Sequence, residues 1–218
     1  MRFVPDAHNA VLAAAKDMLR KHLVEGTAGN ISARQEDGTV VITPSSVDYE
    51  AMALDDLVVV DLDGNVVAAK EGRSASSEKL LHLACYRAYD DVGSVIHSHP
   101  IFATMFAITH QPVPPCIDEF SVYVGGEVRV TEYAASGTAG VGDNAVVALK
   151  DRGAALIANH GMVAVGPTPD KALHITALVE RSAKIVWGAR QLGPLHELPE
   201  KVNRDFANIY GYLRQNPM

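Results

Sequence analysis

The chain has 218 residues, 48% of them hydrophobic, enough to bury one sizeable core and more consistent with one domain than with two. Its formal charge of -7, with no cluster of Lys or Arg, argues against nucleic acid or an anionic membrane as the main partner, so an anionic substrate would need a local pocket. Residues 1–6 lack the apolar core of a leader and no apolar run approaches a membrane span, which makes the cytoplasm the expected compartment; Cys85 and Cys116 suggest no disulfide framework.

Pro5-Asp6 opens a helix whose Val11, Leu12, Ala15, Met18, Leu19 and Leu23 share one stripe, and which ends before Gly26. The turn Gly26-Thr27-Ala28-Gly29-Asn30 follows. Its glycines let backbone N–H groups approach an anion, and Thr27 and Asn30 add short-range donors, although a plain tight turn is the simpler reading of this stretch alone. Residues 31–34 and 40–42 read as strands, the second running into the polar loop Thr43-Pro44-Ser45-Ser46. Residues 57–60, the Asp63-Gly64 turn and residues 65–67 make a hairpin signal. Ser76-Ser77-Glu78 then leads into a helix with Leu80, Leu81, Ala84, Cys85 and Ala88 at helical spacing. Ser76 or Ser77 serves as a helix cap in the simplest reading, and a helix N-terminus also attracts phosphate.

Val95-Ile96 predicts a strand that ends on His97-Ser98-His99-Pro100. Alternation puts His97 and His99 on one side, about 7 Å apart at Cα, where one divalent ion can sit between them. His-x-His alone is weak and is also met as two polar residues at a strand end. Its company raises it: Asn159-His160-Gly161 follows a buried-looking strand at residues 154–158, and Glu78 stands at a helix start. Three imidazoles are a usual set for catalytic zinc, leaving a position for substrate or for a carboxylate that also moves protons. Residues 101–109 predict a buried helix, and the prolines of residues 111–120 forbid regular structure over most of that loop. Residues 128–130 predict a short strand, 142–150 a helix, and 154–158 and 162–165 strands around His160. Thr168-Pro169-Asp170 starts a long helix to about Leu192, and a last helix at 201–209 precedes a tail that begins at Tyr210-Gly211-Tyr212. His82, His110 and His174 read as structural or surface residues. Interleaved helices, strands and hairpins predict an α/β protein: one three-layer α/β/α domain over residues 1–218 with a mixed, largely antiparallel central sheet.

Taken together, Gly26-Thr27-Ala28-Gly29-Asn30-Ile31-Ser32, Thr43-Pro44-Ser45-Ser46, Ser76-Ser77-Glu78, His97-Ser98-His99 and Asn159-His160-Gly161 resemble the class II aldolase/adducin family, in its L-fuculose-1-phosphate aldolase type. The resemblance implies a zinc enzyme, commonly a homotetramer, with one Zn²⁺ held by His97, His99 and His160. Glu78 would ligate the metal in the resting site and carry protons. It further implies that Thr27, Gly29, Asn30, Ser45, Ser46, Ser76 and Ser77 bind the phosphate of a small sugar phosphate. A tail tyrosine, matched by Tyr210, would reach a neighbouring subunit from the segment at about 199–218 and act there in catalysis. The implied reaction is reversible cleavage of a ketose 1-phosphate to dihydroxyacetone phosphate and a short aldehyde. Burial of Glu78 near an apolar helix face is expected to raise its pKa toward the working range.

Three positions depart from the family pattern. Asp118, Glu119 and Phe120 occupy the place of a catalytic tyrosine, Ser136 replaces an aromatic residue before Gly137-Thr138, and Ser46 stands where glycine is usual. These leave a 4-epimerase, a dehydratase or a decarboxylase on the same metal site as alternatives, with Asp118 or Glu119 as a second proton carrier. A non-catalytic adducin-like module is the reading of a different class, and the retained histidines and Glu78 speak against it. A zinc isopeptidase would need acidic ligation where Ile108 and Gln111 stand, and an amidohydrolase barrel needs a longer chain.

Overall fold

A computed structural model describes residues 1–216. Among these, seven strands form one sheet: β1 (Asn30–Arg34), β2 (Val40–Ile42), β3 (Val58–Val60), β4 (Val66–Ala68), β5 (Ser94–Ser98), β6 (Ala154–Ile157) and β7 (Gly161–Gly166). Their spatial order is β4-β3-β2-β1-β5-β7-β6, and every neighbouring pair is antiparallel. The expected mixed sheet is thus antiparallel throughout its ladders, with one isolated parallel bridge, Val130 to Leu156, at its margin.

Seven α-helices accompany the sheet among the described residues: α1 (Ala7–Arg20), α2 (Lys79–Ala88), α3 (Ile101–Ile108), α4 (Asp118–Val124), α5 (Ala139–Leu149), α6 (Pro169–Leu192) and α7 (Glu200–Gln215). Strand alternation sorts the core into two sides. Ile31, Ala33, Val41, Val59 and Ile96 pack with α1 and the start of α6, while Val40, Ile42, Val58, Val60, Val95, Val163 and Val165 pack with α2 and α5. Further along the first side, α3, α4 and α6 cover Leu156, Met162 and Ala164. Because both faces are covered, β2 and β3 are all valine and isoleucine rather than alternating. Only β4, an edge strand, is exposed along its length.

Four expectations are corrected. Residues 128–130 form no strand, only the isolated bridges of Val128 and Val130. Residues 118–124 are helical, since the prolines end at Pro115 and Asp118 and Glu119 supply an acidic first turn. The 142–150 helix begins earlier, at Ala139. The last helix does not stop at residue 209: α7 continues to Gln215, so Tyr210 and Tyr212 are helical, and residues 217 and 218 of the expected tail lie outside the described residues. No helix among the described residues is long and apolar enough to cross a membrane.

Candidate metal centre and active site

The site grows from the junction of β1, β5 and β7. In β5, His97 stands opposite Asn30 of β1 and Val163 of β7, and its side chain points to the face covered by α2. The ring is fully buried. Its Nδ1–H donates to the Met162 carbonyl at 2.9 Å, which leaves Nε2 turned toward the interior of the cluster, where it can donate to Glu78 when protonated or ligate a metal when not. His99 follows just beyond the strand, and its Nε2 lies 2.8 Å from that of His97. His160 sits in the turn before β7, preceded by Asn159 with φ 57°, a left-handed conformation that asparagine accommodates. The three imidazole rings lie with centroids 4.6 to 4.9 Å apart.

Glu78 enters from the other layer. It is the N-cap residue of α2, and its own backbone N–H donates to Ser76 Oγ at 3.2 Å. Its Oε2 is 3.0 Å from His97 Nε2 and its Oε1 is 3.4 Å from His160 Nε2. Asn30 Nδ2 donates to Oε2 at 3.2 Å and Ser136 Oγ to Oε1 at 2.8 Å. One ligand atom each from Glu78, His97, His99 and His160 lie within 4.8 Å of one another, a cluster that could hold a metal ion. Nitrogen lone pairs and a carboxylate converging from four sides, with His97 Nδ1–H already spent on a carbonyl, fit a single divalent cation.

The electrostatics correct one expectation. Burial by itself would raise the Glu78 pKa, but the hydrogen bond and charge of His97, the charge of His160 and the Ser136 hydroxyl outweigh it and hold the carboxyl well below the usual range. Glu78 is therefore ionised at neutral pH, suited to accept a proton. Burial, followed by the charge of His97, lowers both His99, to about 4, and His160. Neutral imidazoles are the form that binds metal.

The three polar loops meet beside this cluster. Ile31 N–H donates to Thr43 Oγ1, Thr43 N–H to the Ile31 carbonyl, Ser45 N–H to the Ser74 carbonyl and Ser76 N–H to the Thr43 carbonyl. A bridge joins Pro44 to Ala75. Gly29 (φ 75°) is required by contact as well as conformation, since a Cβ there would come within 2.8 Å of the His97 carbonyl. Thr27, Ser46 and Ser77 are exposed, Ser45 is half-buried, and Ser76 and Asn30 are buried.

Other positions fall elsewhere. Tyr210 is 6% exposed, with its ring against Gly125 and its hydroxyl near Gly153, and burial pushes its phenol up to about 12. A side chain enclosed this way within its own chain is not offered to a neighbour, whereas Tyr212 on the same helix is 66% exposed. Asp118 is exposed, Glu119 is paired with Arg181 at 3.1 Å, and neither joins the cluster; Phe120 is buried in the core. Ser136, which stands where the family pattern has an aromatic residue, donates to Glu78. His82 was the missed residue: fully buried behind the site, it bonds Asn30 and Ser32. Its spacing of four from Glu78, one helical turn, was the available signal.

Known proteins resemble this chain in sequence and fold. Residues 9–187 match the model of the Class II Aldolase and Adducin N-terminal domain. The 5-deoxy-D-ribulose 1-phosphate aldolase of Bacillus thuringiensis serovar kurstaki is 32% identical over 207 residues, 94% of this chain and 96% of that protein. The L-ribulose-5-phosphate 4-epimerase UlaF of Salmonella paratyphi C is 34% identical, covering 92% of this chain and 93% of its own. A solved L-fuculose 1-phosphate aldolase superposes with a TM-score of 0.88 at 34% identity, over 95% of this chain and 97% of the other. With the family model spanning most of the chain, relatives above 30% identity matching almost all of it, and the glutamate and three histidines gathered at one point, the chain belongs to the class II aldolase and adducin N-terminal domain family.

Proposed function

We propose that this protein is a zinc-dependent aldolase that reversibly cleaves a ketose 1-phosphate to dihydroxyacetone phosphate and a short aldehyde, acting as a single-domain, cytoplasmic homotetramer. L-Fuculose 1-phosphate and a 5-deoxypentulose 1-phosphate are the first substrates to offer. The observation that carries the reading is the convergence of Glu78, His97, His99 and His160 within 4.8 Å. In this reading those four side chains hold one Zn²⁺, which when bound supplies Lewis acidity for the negative charge that develops on the substrate oxygens as the carbon-carbon bond breaks.

The remaining work falls to the chain's own groups. Glu78, kept ionised by its histidine neighbours, takes and returns the proton at the carbon next to the ketone. Thr27, Gly29, Asn30, Ser45, Ser46, Ser76 and Ser77 bind the phosphate with neutral donors, aided by the N-terminus of α2 just beyond Glu78. No Schiff-base lysine is called for. Tyr210 has no place in this chemistry from within its own subunit, and Tyr212 is the tail tyrosine available to a neighbour.

The test is proton exchange at C3 of dihydroxyacetone phosphate in D₂O, followed by NMR, using zinc-loaded protein and Glu78→Gln. The expected result is exchange that requires both zinc and Glu78. No exchange from folded, zinc-loaded protein would sink the aldolase reading. The similarity to the 4-epimerase favours a second reading on the same site. Turnover of L-ribulose 5-phosphate, without exchange or cleavage of any 1-phosphate, would select it.

A further inference from the structure

We propose that His82 is a positioning residue of this site: acting through Asn30, it fixes the orientation of the Glu78 carboxylate toward His97 and His160. This rests on the reading of Glu78 as a metal ligand. The geometry behind it is a match of two periods. Along α2, Glu78, His82 and Tyr86 recur every four residues and share the face turned to the sheet; along β1, Asn30, Ser32 and Arg34 recur every two and share the face turned to the helix. Four helical residues rise about 6 Å and two strand residues about 6.6 Å, so the two polar rows stay in step. His82, Ser32 and Arg34 are fully buried, and Tyr86 and Asn30 almost so.

The direction of each hydrogen bond follows from the ionised end. A carboxylate only accepts, so Asn30 must present its Nδ2 to Glu78 Oε2 at 3.2 Å. Its Oδ1 then faces His82 Nε2 at 2.5 Å, which must carry a proton. Nδ1 of the neutral ring is left as an acceptor, and Ser32 Oγ–H donates to it at 2.7 Å. Tyr86 O–H in turn donates to Ser32 Oγ at 2.8 Å. Burial, and secondarily the charge of His97, lower the His82 pKa to about 3, so the ring stays neutral and its tautomer is set by this chain. Without the His82 donor, the Asn30 amide is free to turn its oxygen on the Glu78 carboxylate. A residue that orients a metal ligand from behind in this manner typically controls affinity by ten- to hundredfold.

The experiment measures zinc affinity by chelator competition, with thermal unfolding of the metal-free proteins alongside. His82→Leu is expected to lose ten- to hundredfold in affinity, and His82→Gln, which keeps a donor toward Asn30, to recover most of it. Tyr86→Phe, two links further from Glu78, is expected to lower stability while leaving affinity within about threefold. If His82→Leu does not fold, Ser32→Ala carries the test, because it releases Nδ1 and with it the tautomer; a drop in affinity larger than that of Tyr86→Phe is expected. Variants that lower stability but bind zinc like the wild type would overturn the proposal, as would a His82→Gln no better than His82→Leu. Wild-type protein that binds zinc yet cleaves no ketose 1-phosphate would refute the substrate reading alone, since affinity and not turnover is measured here.

Discussion

Gly161 is a close-packed glycine of the site, and replacing it with alanine tests whether tight backbone packing sets the metal geometry. It opens β7 directly after His160 and lies against the end of β5. A Cβ at this position would fall 2.5 Å from the Ser98 carbonyl oxygen and 2.6 Å from His99 Cδ2. Favourable carbon contacts begin near 3.5 Å, so the Cβ and the His99 ring must part by about 0.9 Å. A metal site tolerates about 0.2 Å in its ligand distances, and His99 is the side chain being pushed. Overpacking of this kind costs about 1–3 kcal/mol, which in a domain of this size lowers Tm by about 2–12 °C. We therefore expect Gly161→Ala to fold with reduced Tm and to bind zinc ten- to hundredfold more weakly in chelator competition. Affinity within twofold of wild type at unchanged Tm would contradict this, since β5 and β7 would then yield without moving His99.

Gly188, inside α6, is the counterpart with nothing within 4 Å of its missing Cβ, so Gly188→Ala is expected to stabilise by about 0.5–1 kcal/mol in urea unfolding; a loss would contradict the open environment. Glu180 accepts the Phe102 and Ala103 N–H groups at 3.0 and 2.8 Å and so caps the helix that follows His99-Pro100. Glu180→Ala should cost about 1–2 kcal/mol, read as a shift of the unfolding midpoint, and an unshifted midpoint would show the cap to be replaced by water. His82, His99 and His160 all have lowered pKa values in the fold, so the unfolded chain binds more protons below 6.5. Their contribution to stability is whole above that pH and is lost as pH falls toward 4, at up to about 1.4 kcal/mol per pH unit for each. Urea unfolding of chelator-treated protein at pH 7.5, 6 and 5 checks this, and a flat profile would exclude neutral, buried histidines.

Much of this protein was legible from local pattern. The stripe of Val11, Ala15 and Met18, the N-cap and proline before the long α6, and the turn glycines each lie within a few residues of the feature they encode. The motifs around His97, His99, His160 and Glu78 were legible in the same way, because a strand and a helix start display their side chains at known spacings. The failures were equally physical. Asn30 and His97 are 67 positions apart, and only the pairing of β1 with β5 makes them cross-strand neighbours. His82 looked like one more histidine on a helix until β1 supplied Asn30 and Ser32 beneath it. Burial alone predicted a raised Glu78 pKa, and the charges that reverse it come from residues brought in by β5 and β7. Tyr210 read as the start of a tail, yet α7 continues through it to Gln215 and its ring packs over Gly125 and Gly153. Periodicity and turn chemistry act over a few residues, so the elements and the chemical types at the site follow from local pattern. Which groups face one another, and so their protonation and roles, was decided only by the tertiary fold, since it brings together groups that no local window contains.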